Sequence, residues 1–168
     1  MVVAADLAYD RNGNVVVGKE TARVCRKAAE IARIHPDALV CATAGYSPKY
    51  KVDMGSGPMR RELQALGISP DRIRTPVARE FNTNGEMEIF VETMEIETLW
   101  IDNYDVFLVA RWPHMFRSWL LLRATLGENL WVLSRVQCVF VPSWWLFGFF
   151  YEPLALAKNW KNIRRAFF

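Results

Sequence analysis

Arg111, His114 and Arg117 fall where a buried apolar run, Asp105 to Ala110, hands over to a stretch with helical periodicity. Proline is well tolerated at the first helical position, so Pro113 predicts a helix start that runs to about Leu126. That start puts His114 in the first turn and Arg117 one turn further, on nearly the same face. Free backbone N–H groups at a helix start favour an anion. Guanidinium groups bind phosphate and carboxylate with good geometry. An imidazole exchanges a proton near neutral pH. The pattern points to an anion-binding or acid–base site, with Arg111 and Arg117 holding the anion and His114 as the catalytic proton donor. Ordinary solvated arginines beside a surface histidine remain the plainer alternative.

A second polar group, Asn82-Thr83-Asn84-Gly85-Glu86, opens another helix on the same expected edge. Thr83 and Glu86 fit the capping-box pattern, in which the two residues satisfy each other's free amides. The same Asn82, Thr83 and Glu86 could line a ligand pocket. Gly45 follows a buried run and permits a tight turn or a close backbone approach to a ligand. Asp6 and Asp10 follow the first apolar run, where either carboxylate could accept a bond from a ribose or other ligand hydroxyl, or simply be solvated. No G-x-G-x-x-G fingerprint is present, so a standard dinucleotide site is not expected and the cofactor is unknown. Cys25, Cys41 and Cys138 are far apart in apolar segments and read as buried thiols. The two histidines, His35 and His114, have no metal-spaced partners, which argues against zinc.

The elements that must position these groups alternate along the chain. Val2 to Ala5, Ala38 to Ala44, Ile73 to Pro76, Asp105 to Ala110 and Val136 to Val141 read as strands. The turn signal Asn12-Gly13-Asn14 marks a polar loop. Helices are expected over about Glu20 to Ile34, Pro58 to Leu66, Asn84 to Leu99, Pro113 to Leu126, and from near Pro153 onward. In that last helix, Leu156, Trp160, Ile163 and Phe167 form the apolar stripe. Apolar strands alternating with amphipathic helices predict an α/β fold, a Rossmann-like three-layer sandwich with a mostly parallel central sheet. The whole chain, 1–168, is expected to form one such domain. Ligands in such sheets bind outside the carboxyl ends of the strands. Trp144 to Tyr151 is an aromatic cluster in an expected loop. It would pack under the last helix, join a homo-oligomer, or touch a membrane surface.

Apolar residues make up 52% and charged residues 23%, as in ordinary globular proteins. A net charge of +3 gives no support for a nucleic-acid binder. No apolar run reaches the roughly 20 residues of a transmembrane segment, and no basic leader precedes a longer apolar stretch. A cytoplasmic protein is the expectation.

Taken in order, several segments resemble one family: the YdcF/SanA/ElyC-like family, a domain of unknown function. His114-Met115-Phe116-Arg117-Ser118 is similar to its H-M-x-R-A motif, and Asn82-Thr83-Asn84-Gly85-Glu86 to its N-T-x-x-E segment. Gly67-Ile68-Ser69-Pro70-Asp71-Arg72-Ile73 resembles its G-V-P-x-E-R-I turn. Glu152-Pro153-Leu154-Ala155-Leu156-Ala157-Lys158 resembles the R-E-x-L-A-R-x-K run of the SanA branch. The resemblance implies a Rossmann-like fold in which Asn82, Thr83, Glu86, His114 and Arg117 share one polar site. It implies no particular reaction. Two departures stand out. Ala5-Asp6 replaces the family's glycine after the first strand, and Ser56-Gly57 replaces its Ser-Glu pair before the helix holding Met59. The expected function is binding of a small anionic ligand, such as a nucleotide, an adenosyl compound or a phosphorylated metabolite, with or without a reaction. The rival is a non-catalytic, envelope-linked or regulatory module docking through the 143–152 aromatic segment.

Overall fold

The computed structural model describes residues 1–3, 6–78, 82–96, 105–126, 135–142 and 147–164. Its centre is a parallel sheet. β1 (Val2–Val3) lies between β4 (Val40–Ser47) and β8 (Val106–Arg111), with Val2 opposite both Ala42 and Val109. β9 (Val136–Val141) runs parallel to β8 along its whole length. On the far side of β4 lie the short parallel strands β6 (Ile73–Arg74) and β7 (Val77–Ala78). The antiparallel β5 (Val52–Asp53) pairs with the end of β4. The order across the sheet is therefore β6/β7, β4, β1, β8, β9, and the chain reverses direction across the sheet at β1 and β8. This is the Rossmann-like topology, with mixed but mostly parallel strands. The expected α/β class holds.

Helices cover both faces. α1 (Lys19–Ile34) packs Val24, Cys25, Ala28, Ala29 and Ala32 onto one face. Leu63 of α2 (Arg60–Ala65) joins them there. α3 (Thr83–Ile96) and α4 (His114–Leu126) cover the other face through Met87, Phe90, Met94, Met115, Leu121 and Leu122. The three- and four-residue spacing of these side chains is what makes each helix amphipathic, and each stripe meets strands that are apolar on both sides. α5 (Phe147–Lys158) and α6 (Trp160–Arg164) pack on α4. Among the described residues, no helix is long and apolar enough to cross a membrane.

Several local expectations change. The polar loop after β1 is a hairpin, β2 (Leu7–Tyr9) with β3 (Val15–Val17). Asp10 closes its tip by accepting the Asn12 and Asn14 amides at 2.8 Å, and Gly13 takes the positive φ there. Asp10 is thus a turn residue. Gly45 closes no turn, because β4 continues through it to Ser47 and pairs it with Ala78. The aromatic segment is helical from Phe147, with Pro153 inside α5 rather than at its start. Residues 143–146 of that segment lie outside the described residues. α5 ends before Asn159 and α6 begins at Trp160, so the expected stripe is broken. Ile163 is buried, whereas Trp160 is exposed. Phe167 lies outside the described residues.

Asp6 has a structural task. Gly18 precedes α1 without a capping side chain. The Asp6 carboxylate supplies the cap from outside the helix, accepting the Thr21 amide at 2.8 Å. The Thr21 hydroxyl donates to the Asp6 carbonyl at 2.8 Å. A Cβ on Gly18 would stand 2.1 Å from Asp6 Oδ2, so only glycine leaves room for this contact. Asp6→Ala should cost about 1–2 kcal/mol, the usual worth of a helix cap. The melting temperature should fall by roughly 2–8 °C, read by thermal denaturation. An unchanged melting temperature would show that the cap is dispensable.

Candidate functional site

The strand order brings the N-terminal turns of α3 and α4 together at the carboxyl edge of the sheet, beside the point where the chain reverses. Strand β8 ends at Arg111, and α4 begins at His114. Helical spacing then places Arg117 one turn on. Both His114 and Arg117 are buried. Arg117 Nη2 donates to His114 Nδ1 at 2.8 Å.

A guanidinium has only donors, so Nδ1 must present its lone pair. His114 is therefore neutral, with its proton on Nε2. Burial pushes its pKa below the ordinary histidine value; the Glu152 carboxylate works the other way, and Arg117 and Arg111 add to the depression. The nearest Glu152 oxygen is 3.5 Å from the same Nδ1, too long for a hydrogen bond and facing a lone pair. His114 is thus a hydrogen-bond donor through Nε2, and its other nitrogen is occupied as long as Arg117 stays in place.

Glu152 is the residue that the sequence reasoning did not place in the site. α5 delivers it, buried, against α4, with Oε2 3.2 Å from Arg117 Nε. Burial works against its charge, but the Arg117 and Arg111 guanidiniums act against burial and hold its carboxyl below the ordinary range. Arg117 also lies over the Tyr151 ring, 5.7 Å from its centroid. A signal for Glu152 existed. It is a lone carboxylate in an aromatic stretch, and such a group must find a partner when its helix packs. Reading Pro153 as a helix start hid that signal.

On α3 the helix is capped by Asn82, not Thr83. Asn82 Oδ1 accepts the Gly85 amide at 2.8 Å, and its carbonyl accepts the Glu86 amide at 3.1 Å. Asparagine caps at least as well as threonine, and its placement one residue earlier makes Thr83 the first helical residue. The expected Thr83–Glu86 capping box is not formed. Thr83 and Glu86 are buried instead, while Asn82 is exposed. Burial raises the Glu86 carboxyl from 4.5 to about 8, against the opposing pull of Arg117. Near neutral pH it is mostly protonated.

The structure thus brings together Thr83, Glu86, Arg111, His114 and Arg117, and adds Glu152. Asn82 stands at the rim as a cap. Asp6 is turned to α1, and Gly45 lies within β4. Glu86 Oε2, Arg117 Nε and both Glu152 oxygens are buried without a hydrogen bond.

A cavity of about 660 Å3 lies at the opposite, amino edge of the sheet, lined by Val40, Phe90, Met94, Val106 and Phe107 among others. It reaches none of the grouped residues. Core side chains line it together with His35, Asp37, Arg74 and Asp105, and none of these four described residues leaves a buried side-chain nitrogen or oxygen unsatisfied. The perturbed, unsatisfied ionisable groups at the carboxyl edge are the stronger indication of a site. No family model, curated protein or solved structure matches the chain.

Proposed function

We propose that this chain is a ligand-binding α/β domain of the YdcF/SanA/ElyC-like kind, taking a small anionic ligand at the carboxyl edge between α3 and α4. The observation that carries the reading is the set of buried ionisable groups with unmet hydrogen-bonding capacity on Glu86, Arg117 and Glu152. Folded proteins rarely leave such groups orphaned, because each costs about 1–3 kcal/mol. A ligand with matching groups removes that cost.

The charges favour an anion. Two guanidiniums, Arg111 and Arg117, stand beside a neutral His114 and a Glu86 carboxyl that is mostly protonated near neutral pH, and guanidiniums bind phosphate and carboxylate with good geometry. Arg111 and Arg117 hold the anionic group. The His114 Nε2–H donates to one of its oxygens. Glu152, through the oxygen that does not face Arg117 Nε, and the Glu86 carboxyl take the hydroxyl or amine groups of the same ligand. A nucleotide, an adenosyl compound or a phosphorylated metabolite presents both kinds of group. In a reaction, His114 would serve as a proton donor or electrophile at an oxygen, not as a base, because Arg117 occupies its lone pair.

The test is a thermal-shift screen of the full chain against nucleoside monophosphates, S-adenosyl compounds, sugar phosphates and inorganic phosphate. Binding is expected to raise the melting temperature in proportion to the logarithm of ligand concentration. Arg111→Ala, at a half-buried strand end, should weaken a hit about tenfold or more. A chain that no probe stabilises, or an Arg111→Ala variant that binds as the parent does, would remove the anion site.

A further inference from the structure

α5 has an inner and an outer face of opposite kinds. Inward it turns Glu152 and Ala155, both buried, with Leu156 packed against the core under α4. Outward it turns large apolar side chains. Phe150 is 77% exposed and Leu154 72%, and Trp160 of the following α6 is 57% exposed. Phe150, Leu154 and Ala157 follow the four- and three-residue spacing of one helical face, and Pro153 and Ala157 are exposed with them. The outer face is therefore an apolar patch, not a scatter of single residues. Patches of this kind mark interaction surfaces.

The charges that follow it along the chain are of one sign: Lys158 and Arg164 are exposed, Lys161 and Arg165 lie in the same stretch, and residues 153–168 include no Asp or Glu. Glu152 itself is turned inward. An exposed apolar face of Phe and Leu, followed along the chain by exposed Trp, Lys and Arg without an acidic residue, is the pattern of a helix that lies in the interface of a bilayer. α5 has 12 residues, too few to span a membrane, which takes about 20.

We propose that the outer face of α5 docks onto an anionic lipid surface, with Phe150, Leu154 and Trp160 entering the acyl boundary and Lys158 and Arg164 meeting the headgroups. Juxtaposed cations are drawn to the negative potential of such a surface, and the attraction falls as salt screens it. The proposal does not depend on the anion site, because Phe150 and Leu154 lie on the face of α5 opposite to the buried Glu152 and Ala155.

The experiment is co-sedimentation of the full chain with two kinds of vesicle, phosphatidylcholine alone and phosphatidylcholine mixed with phosphatidylserine. Light scattering of the lipid-free protein runs alongside. The chain is expected to sediment with the phosphatidylserine vesicles and to be released by salt. Phe150→Ser with Leu154→Ser should lower that partitioning about tenfold or more, since each apolar side chain withdrawn from water contributes to it. Both positions are exposed, and circular dichroism verifies that the double variant stays folded. Lys158→Glu, a single exposed position, should weaken binding on its own. The idea fails if the chain ignores both vesicles, or if the double variant binds as the parent does. It also fails if the patch instead supports a dimer that the double variant converts to monomer without any lipid binding.

Discussion

Glu152→Ala is expected to destabilise the fold by about 3 kcal/mol, within the range seen when one partner of a buried ion pair is removed. The side chains of Glu152 and Arg117 are only 6% and 11% exposed, and they meet at 3.2 Å. Removing the carboxylate leaves the guanidinium buried beside Arg111 without its counter-charge. Most of the loss comes from that stranded cation, not from the pair's own attraction. For a chain of this size the melting temperature should fall by roughly 6–12 °C. The variant also sharpens the functional reading. With Glu152 gone, the site holds one carboxylate fewer, so inorganic phosphate should stabilise Glu152→Ala more than it stabilises the parent. A melting temperature within about 2 °C of the parent would mean that Arg117 does not rely on Glu152.

Glu86→Gln should remove the loss of stability with rising pH that Glu86 contributes between about pH 4.5 and about pH 8. Glu86 ionises near 4.5 when unfolded and near 8 when folded. Between those values the folded chain binds one more proton than the unfolded chain, so stability falls as pH rises. The contribution is full below the lower value, declines across the window and is gone above the upper one. The slope is about 1.4 kcal/mol per pH unit, and the total is on the order of a few kcal/mol. Glutamine matches the protonated acid in shape and cannot ionise. Urea unfolding at about pH 5 and about pH 8 should show the variant gaining on the parent at the higher pH. Parallel profiles would show that Glu86 ionises normally, and its carboxylate would then oppose an anion in the site.

Much of the scaffold was legible because its signals are local. The apolar runs of β8 and β9 and the spacing of Cys25, Ala28, Ala29 and Ala32 on α1 depend on neighbours a few residues away. Errors arose where one local rule competed with another. Pro153 carries a helix-start preference, yet the packing of α5 on α4 holds it inside a helix. Thr83 and Glu86 match a capping box, yet Asn82 caps first and leaves both side chains to be buried. The strands of the β2–β3 hairpin are too short to show a period, so only its Asn12-Gly13 turn was visible.

The site divides in the same way. The chain by itself determined that Arg111, His114 and Arg117 follow a strand into a helix start, because junctions of this kind are written in adjacent residues. It also determined an α/β class, since alternating periods leave few ways to bury both kinds of element. Only the tertiary structure decided which distant groups meet there. It carried Glu152 to Arg117, placed Glu86 in the same buried corner, and turned Asp6 away to cap α1. Those choices depend on strand order and on which helix face packs where. They also decide the chemistry, because the proton on Glu86 follows from its burial, and the carboxylate that meets Arg117 comes from far away along the chain.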